Sequence, residues 1–425
     1  MPYLMLSKHS LFPVAILALF FQLLLSSSCL SASHLLLQDR IQNGGYIIQK
    51  DGQIIESLHE EELFIPASTI KLLTGYTVLK TLGEDYRFRT RFYVDKNNVL
   101  YVKGGGDPVL TSEVLLDAVR TMKQHGLTKI SEYVLDDSAF QLESVTTPGS
   151  ENSSRSYDVA NGALAVNFNS IAIRKHANGQ VTSGEPQTPM THMAREIGRQ
   201  LPSGLHRVNP AAFDLQGNLP SHLRYSGELL HELFKKEGVE STLQLRTGTV
   251  PSTARLIHTQ YSSQTVREVV QSCLRFSNNF IANQLILVAS AKSYGYPASW
   301  EKTRNLLENT ASGELQIPRE QIRIMEGSGL SRQTLATPSA LLKVLEAFEP
   351  YRDLLPIKFD AQVKSGTMDS IYCYAGYIES QHGPVLFALL LNQTRNTRDQ
   401  LLRSLVRKID LKLIQTQQHK TIYVK

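Results

Sequence analysis

The pattern of apolar positions along the chain predicts a mixture of helices and strands. Between Ser68 and Leu82 apolar side chains recur at helical spacing. Alternating strands are then predicted in YRFRTRFYVD, and a helix in TSEVLLDAVRTMKQHG. Residues 263–292 form a second strongly helical region, and VLFALLLNQ is a nearly continuous apolar strand. The pattern therefore predicts a protein of the α/β (α+β) class.

Two stretches in the middle of the chain bear on its organisation. Residues 147–157, TPGSENSSRSY, are polar and rich in turn formers, which predicts an exposed loop or linker. The sequence that follows, GALAVNFNSIAIRK, returns to strand character. With 425 residues the chain is long enough for two or three domains.

The first 33 residues have the composition of an export signal. Lys8 precedes an apolar run from Leu11 to Leu25 that is interrupted only by Gln22, and small residues follow it. We therefore expect residues 1–33 to be a signal peptide and the protein to be periplasmic or otherwise extracytoplasmic. An uncleaved signal would instead leave an anchor. Cys29 offers a further alternative, a lipid anchor, although Ser26 stands where such sites favour leucine.

Charge and composition exclude some classes of partner. The formal net charge is +5, and its Lys and Arg residues are scattered, so nucleic acid is not implied. A slightly basic surface suits an anionic envelope polymer or peripheral contact with a membrane face.

None of the 12 histidines has the spacing of a metal site, and we predict no metal and no cofactor. Cys273 and Cys373 could pair in an oxidising compartment, and two buried free thiols are the alternative.

The stretch PASTIKLLTGY contains the first candidate for catalysis. Ser68 and Lys71 lie three residues apart at the start of the predicted helix, so their side chains share a face. A desolvated lysine can lose its proton near neutrality and activate a neighbouring hydroxyl. Taken alone the pair is weak, since a serine at this place is usually a helix N-cap and the lysine a solvated side chain.

Two later stretches supply what the pair lacks. In CLRFSNNFIANQLI, Ser277 and Asn279 form Ser-x-Asn where a helix meets a loop. In DAQVKSGTMDS, Lys364 and the Ser365-Gly366-Thr367 segment lie at a strand end, where a glycine would let a substrate backbone lie close. This ordered set resembles the Ser-x-x-Lys, Ser-x-Asn and Lys-Thr/Ser-Gly motifs of penicillin-binding proteins and serine β-lactamases.

Four further stretches narrow the resemblance: GGGDPVL, DDSAF, GALAVNFN and EGSGLSR. They look like the D-alanyl-D-alanine carboxypeptidase/endopeptidase family of the DacB type, the class C low-molecular-mass penicillin-binding proteins. The resemblance implies a transpeptidase-like catalytic core, at 34–88 plus 250–425, that is split by a large inserted segment, domains II and III, at 89–249. The long interval between Ser68 and Ser277 fits such an insertion.

The resemblance also implies roles for the motif residues. Ser68 would attack the peptide carbonyl between two D-alanines while Lys71 takes its proton. Ser277 would relay a proton towards the leaving amine, and Asn279 would bind the substrate amide and hold Lys71. Lys364 would assist the relay and help to anchor the terminal carboxylate. The expected substrate is therefore a peptidoglycan stem peptide, and β-lactam antibiotics would acylate the same serine.

A second group of residues is implied for substrate binding. Ser365 or Thr367 would hold the terminal carboxylate beside Gly366, and the backbone N–H groups of Ser68 and Thr367 would form the oxyanion hole. By analogy, the amino-bearing end of a diaminopimelate-type side chain would be received by three residues: Asp136, Phe140 and Arg332. An Asp exposed at a strand end is the alternative for the first of these.

The sequence departs from the family pattern at three points. The second motif is Ser-Asn-Asn where many relatives have Ser-Asp-Asn, and the third is Lys-Ser-Gly. Asp369 stands where relatives often carry glutamine, which affects how an anionic peptide is received. Two other functions stay open: a β-lactamase-like hydrolase, although no Glu-x-x-x-Leu-Asn-like stretch follows Ser68, and a catalytically weak scaffold that binds peptidoglycan or senses β-lactams.

Overall fold

The structure is a computed structural model that describes residues 38–143, 146–215, 217–381 and 383–409. The predicted signal peptide, with Cys29, lies outside the described residues. The α-helices are α1 (Lys71–Leu82), α2 (Ser112–Gln124), α3 (His192–Gln200), α4 (Ser221–Lys236), α5 (Val266–Phe276), α6 (Asn279–Tyr294), α7 (Trp300–Asn309), α8 (Pro338–Phe348) and α9 (398–409).

The strands of the same ranges are β1 (Gly44–Lys50), β2 (Gln53–Leu58), β3 (Arg89–Val94), β4 (Val99–Lys103), β5 (Lys129–Ile130), β6 (Glu132–Asp136), β7 (Ile171–Lys175), β8 (Val181–Ser183), β9 (Gly204–Val208), β10 (Glu240–Ser241), β11 (Leu245–Thr247), β12 (Arg255–Tyr261), β13 (Ile322–Arg323), β14 (Leu335–Ala336), β15 (Ile357–Lys358), β16 (Ala361–Met368), β17 (Ile371–Ile378) and β18 (Val385–Leu391). The mixture of helix and sheet confirms the predicted fold class.

The first sheet joins the two ends of the described chain. It is antiparallel, in the order β15-β16-β17-β18-β1-β2, so the N-terminal hairpin pairs with a strand near the C-terminus. Side chains alternate between its faces, as the pleat of a strand requires. Ile47 packs in the helical core, whereas Tyr46 and Ile48 belong to a separate apolar cluster with Leu401 and Leu405 of α9.

Helix α1 lies inside the helical core, on the face of that sheet to which Ile47 belongs. It contacts α5, α6 and α8, and Leu72, Leu73, Val78 and Leu79 are all buried. A helix that is apolar on most sides is stable only when neighbours cover it. Gly83, with φ at +86°, ends the helix, as the sequence predicts. This burial fixes the start of α1, and Ser68 lies in the turn immediately before it.

The inserted segment forms sheets of its own. A five-stranded sheet has the order β11-β6-β4-β3-β12, a three-stranded sheet has the order β8-β7-β9, and α2, α3 and α4 share a second apolar core with them. Because β12 pairs with β3, the five-stranded sheet continues to Tyr261, beyond the predicted end of the insert at residue 249. We propose that the chain returns to the catalytic core after β12.

The structure corrects two details of the sequence interpretation and decides between the two alternatives for the cysteines. The predicted helical region 263–292 is divided into α5 and α6 at Ser277. Residues 162–166 form no strand, and only Ile171–Lys175 of that stretch joins a sheet. Cys273 and Cys373 are buried free thiols. In the described ranges, no helix is both long enough and apolar enough to cross a membrane.

Candidate active site

Ser68 lies in a tight turn that leads directly into α1. Residues Ala67–Ile70 form a 3-10 turn, and Ala67 has a φ of 46°, a conformation that non-glycine residues seldom adopt. The Ser68 side chain does not cap the helix, since no side-chain cap hydrogen bond is formed there. Its Oγ instead accepts a hydrogen bond of 2.8 Å from Lys71 Nζ. The spacing of three residues thus brings hydroxyl and amine together.

The amine of Lys71 is buried and fully engaged by oxygen atoms. Besides Ser68 Oγ, Nζ donates to Asn279 Oδ1 at 2.8 Å and to the carbonyl oxygen of Ser328 at 2.6 Å. Burial lowers the pKa of Lys71 from 10.5 to about 8, and the negative charge of Glu326 partly offsets this effect. With this pKa, roughly a tenth of the Lys71 amine is unprotonated at pH 7 and about half of it at pH 8.

Ser277 occupies the junction between α5 and α6. It has a left-handed conformation, with φ 54° and ψ 36°. The Asn278 side chain turns away to cap α6, because its Oδ1 accepts from Ile281 N at 3.0 Å. Asn and Asp cap helices about equally well, which explains why Ser-Asn-Asn can replace Ser-Asp-Asn without changing the two flanking side chains. Asn279 then begins α6 and reaches Lys71.

A second buried lysine lies on the other side of Ser277. Lys364 Nζ donates to Ser277 Oγ at 2.8 Å and to the carbonyl oxygen of Ser365 at 2.7 Å. Burial lowers the pKa of Lys364 well below its usual value, and the nearby charge of Lys71 adds to the effect. Each candidate serine hydroxyl therefore accepts a hydrogen bond from its own buried amine.

Gly366 brings β16 close to the turn that carries Ser68. A Cβ at this position would lie 2.6 Å from the carbonyl oxygen of Pro66 and 3.2 Å from the Cβ of Ala67. The sequence predicted that this glycine makes room for a substrate backbone, but the contact that requires it is with the protein's own turn. Ser365 and Thr367, on either side, line the same cleft as Ser68.

The cleft around Ser68 has a volume of about 730 Å³. Arg332 and Asp369 lie on its wall, and Arg332 Nη2 donates to the carbonyl oxygen of Asp369 at 2.8 Å. The inserted segment also lines the cleft: the predicted exposed loop contributes Gly149, Glu151 and Tyr157, and Asp158 follows directly after that loop. This loop is thus part of the cleft wall and more than a linker.

Two of the predicted binding residues lie elsewhere. Asp136 is buried, and its carboxylate accepts from Ser138 N at 3.0 Å and from Val250 N at 3.1 Å. Phe140 is buried against Gly106, where an added Cβ would lie 2.8 Å from its ring. Neither residue lines the cleft with Ser68. Asp136 and Phe140 are therefore not among the residues that the structure brings together there, because the DDSAF stretch packs into the protein.

A buried acidic residue that lines this cleft is Asp158, which the sequence interpretation missed. It is buried at the cleft wall, and its Oδ2 accepts from Ser153 N at 2.6 Å. Its Oδ1 has no hydrogen-bond partner among the described residues. Such a group is costly unless a ligand satisfies it. One aspartate in a polar stretch gives no signal by itself, since the path of the loop decides what it faces.

Glu326 is a second residue whose role the sequence did not reveal. Its buried carboxylate accepts hydrogen bonds from Asn283 Nδ2 and from the backbone N–H groups of Ser328, Leu330 and Ser331. These bonds fix the loop that presents the Ser328 carbonyl oxygen to Lys71. In the sequence, the EGSGLSR stretch indicates only a resemblance to the family and no role for its glutamate.

Arg398, the first residue of α9, supports β16 from the C-terminal part of the chain. Its Nη1 donates to the carbonyl oxygen of Gly366 at 2.6 Å and to Thr367 Oγ1 at 2.7 Å. The guanidinium also lies over the Tyr374 ring, 4.6 Å from its centroid. Since Arg398 is far from the three motifs in sequence, only folding could reveal this contact.

In the described ranges, no cluster of three or more His, Cys, Asp or Glu side chains is arranged to hold a metal ion.

Comparison with known proteins supports one family. The sequence model of the D-Ala-D-Ala carboxypeptidase 3 (S13) family matches residues 31–198 and 214–408. The D-alanyl-D-alanine carboxypeptidase DacB of Haemophilus influenzae is 21% identical over 415 residues, covering 82% of this chain and 85% of that protein. The D-alanyl-D-alanine carboxypeptidase of Actinomadura sp. (strain R39) is 22% identical over 408 residues, covering 80% and 76%.

Solved structures show the same fold. Penicillin binding protein 4 (dacB) from Haemophilus influenzae superimposes with a TM-score of 0.72 at 19% identity, covering 87% of this chain and 97% of that one. The same protein in complex with a β-lactam gives a TM-score of 0.66. The likeness extends over the inserted segment as well as the catalytic core.

Proposed function

The chain belongs to the D-Ala-D-Ala carboxypeptidase 3 (S13) family and is a serine-type D-Ala-D-Ala carboxypeptidase, and we propose that Ser68 is its nucleophile. The observation that carries this assignment is the buried Lys71 amine, 2.8 Å from Ser68 Oγ, with its pKa lowered to about 8. A lysine with an ordinary pKa would remain protonated and could not accept the proton.

We propose that acylation begins when Ser68 Oγ attacks the carbonyl carbon between two D-alanines. Lys71 Nζ accepts the hydroxyl proton, and the carbonyl π electrons move to oxygen. The backbone N–H groups of Ser68 and Thr367 would stabilise this oxyanion. When the carbonyl re-forms, the C–N bond breaks and the terminal D-alanine leaves with a proton that passes through the Ser277 hydroxyl. The product is an ester at Ser68.

Deacylation would repeat these steps with water as the nucleophile. Lys71 removes a proton from the water, the oxygen adds to the ester carbonyl, and Ser68 Oγ leaves and regains a proton. In each step Lys71 would give up the proton it has taken through the Ser277 hydroxyl, first to the leaving amine and then to Ser68 Oγ, so that its amine is neutral again for the next step. The Lys364 amine, which donates to Ser277 Oγ, would orient that hydroxyl. A cross-linked stem peptide presents the same D-alanyl carbonyl with a larger leaving amine, so endopeptidase activity could use the same acylation step.

We propose that Ser365 and Thr367 receive the terminal carboxylate of the substrate. Both side chains carry hydroxyl groups, line the cleft and flank Gly366 on the strand beside Ser68. The positive charge of Arg398, which contacts Gly366 and Thr367 at this end of β16, would favour an anion. Arg332, on the same wall, is placed to meet the remaining polar part of the stem peptide.

We propose Asp158 as the partner of a substrate amine. One of its carboxylate oxygens lacks a hydrogen-bond partner among the described residues, and the residue lines the same cleft as Ser68. An ammonium group from a diamino acid in the stem would satisfy that oxygen. The Asp158→Asn variant should lower kcat/KM by about tenfold for a stem peptide with a free side-chain amine. The same peptide with an acetylated amine is the control, and an equal loss with both peptides would contradict the assignment.

Intact-protein mass spectrometry with penicillin tests the nucleophile. We expect one stoichiometric adduct on the parent protein and none on Ser68→Ala, because the strained lactam imitates the scissile amide. Ser312→Ala, which removes an exposed hydroxyl outside the cleft, should keep the adduct. No adduct on folded parent protein would favour the alternative function, a scaffold that binds peptidoglycan without turnover. Release of D-alanine from muropeptides would then be measured on the same variants.

We propose that the protein acts outside the cytoplasm, in the periplasm or at the envelope. The support is the composition of residues 1–33 and the location of any peptidoglycan substrate. Amino-terminal sequencing of the protein recovered from the envelope fraction would locate the cleavage site. A protein that retains residues 1–33 and stays with the membrane would contradict cleavage and favour an anchor.

A further inference from the structure

A second pocket, which we call the basic pocket, lies where the inserted segment meets Tyr86 and Tyr296 of the catalytic core, and it shares no lining residue with the Ser68 cleft. Its volume is about 290 Å³. Three cationic side chains line it, Arg89 and Arg91 of β3 and Lys103 of β4, together with the rings of Tyr86 and Tyr296. No acidic side chain is among its lining residues.

Strand geometry forces the three cations together. Arg89 and Arg91 are two positions apart on β3, so they project from the same face of the sheet. Lys103 on β4 is the direct cross-strand partner of Arg91. Like charges that face each other across a strand pair destabilise a sheet. The arrangement is therefore unfavourable unless something negative offsets it.

The described residues supply little of that negative charge. Neither guanidinium, Arg89 nor Arg91, has a hydrogen bond or an ion pair with a side chain in the described ranges. Lys103 Nζ lies 3.6 Å from Asp136 Oδ2, beyond hydrogen-bonding distance, and the Asp136 carboxylate already accepts two backbone N–H groups. Lys292 adds further positive charge, with its Nζ 5.4 Å from the centre of the Tyr86 ring.

We propose that the basic pocket binds an oxyanion, a carboxylate or a phosphate, carried by a ligand that packs against Tyr86 and Tyr296. Arginine side chains match both groups with paired N–H donors, and the tyrosine rings offer apolar faces to a sugar or peptide. The volume admits the charged end of a ligand while the rest extends into solvent. A site of this kind, outside the catalytic cleft, would hold a second part of an anionic wall polymer.

Calorimetric titration of the full protein with succinate and with inorganic phosphate tests the site. We expect saturable binding of at least one probe that weakens with added salt and falls at least about tenfold in the Arg89→Gln/Arg91→Gln double variant. The Arg174→Gln/Arg195→Gln variant, which removes the same charge from exposed positions in the three-stranded-sheet region, should bind like the parent. A preference for succinate or for phosphate identifies the source of the oxyanion.

Muropeptides with free and with amidated carboxylates extend the test, a choice that rests on the proposed function. If the carboxylate is the ligand, only the free form should lose affinity in the Arg89→Gln/Arg91→Gln variant. Absence of binding by both small probes, or equal weakening in both double variants, would overturn the proposal. Penicillin acylation of Ser68 should be unchanged in both variants, so a failure of the catalytic assignment is distinguishable from a failure of this site.

Discussion

The Glu326→Gln substitution separates two effects of one buried carboxylate. Oε1 accepts from Leu330 N at 2.8 Å and from Ser331 N at 3.3 Å, while Oε2 accepts from Asn283 Nδ2 at 2.8 Å and from Ser328 N at 2.7 Å. Glutamine keeps one oxygen and replaces the other with an NH₂ group. Whichever way the amide turns, two donors would face its NH₂ group.

The expected cost follows from these contacts. Two hydrogen bonds to a charged acceptor are lost, and each contributes about 1.5–3 kcal/mol, so the free energy of unfolding should fall by about 3–6 kcal/mol. Glu346→Gln is the matched control, because that carboxylate accepts one bond, from Gln49 Nε2 at 2.8 Å, and glutamine can still accept it. The control should cost under about 1 kcal/mol. Urea unfolding of both variants measures the difference.

The second effect concerns Lys71. The negative charge of Glu326 raises the pKa of Lys71 against the larger effect of burial. Its removal should move that pKa below about 8, since the ammonium form loses a stabilising charge. The midpoint of the penicillin acylation rate against pH should then shift to lower pH, even where the maximal rate falls. A stability loss no larger than that of Glu346→Gln, or a midpoint that moves to higher pH, would refute the reasoning.

Three further predictions follow from the site. Gly329→Ala should destabilise the protein by at least about 2 kcal/mol in urea unfolding, because φ is +76° and a Cβ would lie 2.0 Å from a backbone oxygen of the Ser68 turn, whereas Gly313→Ala has open space and should cost nothing. The acylation rate should fall about tenfold per pH unit below the Lys71 pKa of about 8 and level off above it, as stopped-flow measurement would show. Arg398→Gln should slow acylation by about tenfold, with partial rescue by Arg398→Lys, because Thr367 loses a donor.

Each of these has an outcome that would contradict it. Equal stability of the two alanine variants would mean that the turn at Gly329 can relax. An acylation rate that is constant from about pH 6 to 9 would exclude Lys71 as the base whose protonation controls the step. A rate for Arg398→Gln equal to that of the parent would show that β16 keeps its position without the arginine.

Much of the catalytic centre could be predicted because its signals are local or ordered along the chain. Ser68 and Lys71 share a helix face, so three residues of spacing suffice to bring their side chains together. Ser277 and Asn279 flank a residue that caps a helix, and Gly366 marks a close approach of strand and turn. The family, inferred from the ordered motifs, is confirmed. The mixed fold class, predicted from the pattern of apolar positions, is also confirmed. The residue roles stay predictions until the variants are tested.

The remaining parts of the cleft depend on how distant segments pack. Asp136 and Phe140 were expected at the substrate, yet the strand and turn that carry them are covered, and the predicted loop at 147–157 instead brings Asp158 to the cleft wall. A sequence shows that an aspartate is present but not which surface its loop crosses. Arg398 was missed for the same reason, since its contact with Thr367 exists only after α9 packs on the sheet.

The sequence by itself determined the side chains of the three motifs and their order, because short-range helix and strand geometry fixes how neighbours in each motif are presented. Tertiary structure alone decided the electrostatic state of those side chains. We expect Lys71 to act as a base only when α5, α6 and the loop held by Glu326 exclude water from its amine. Desolvation depends on every element that covers a group, and those elements come from distant parts of the chain.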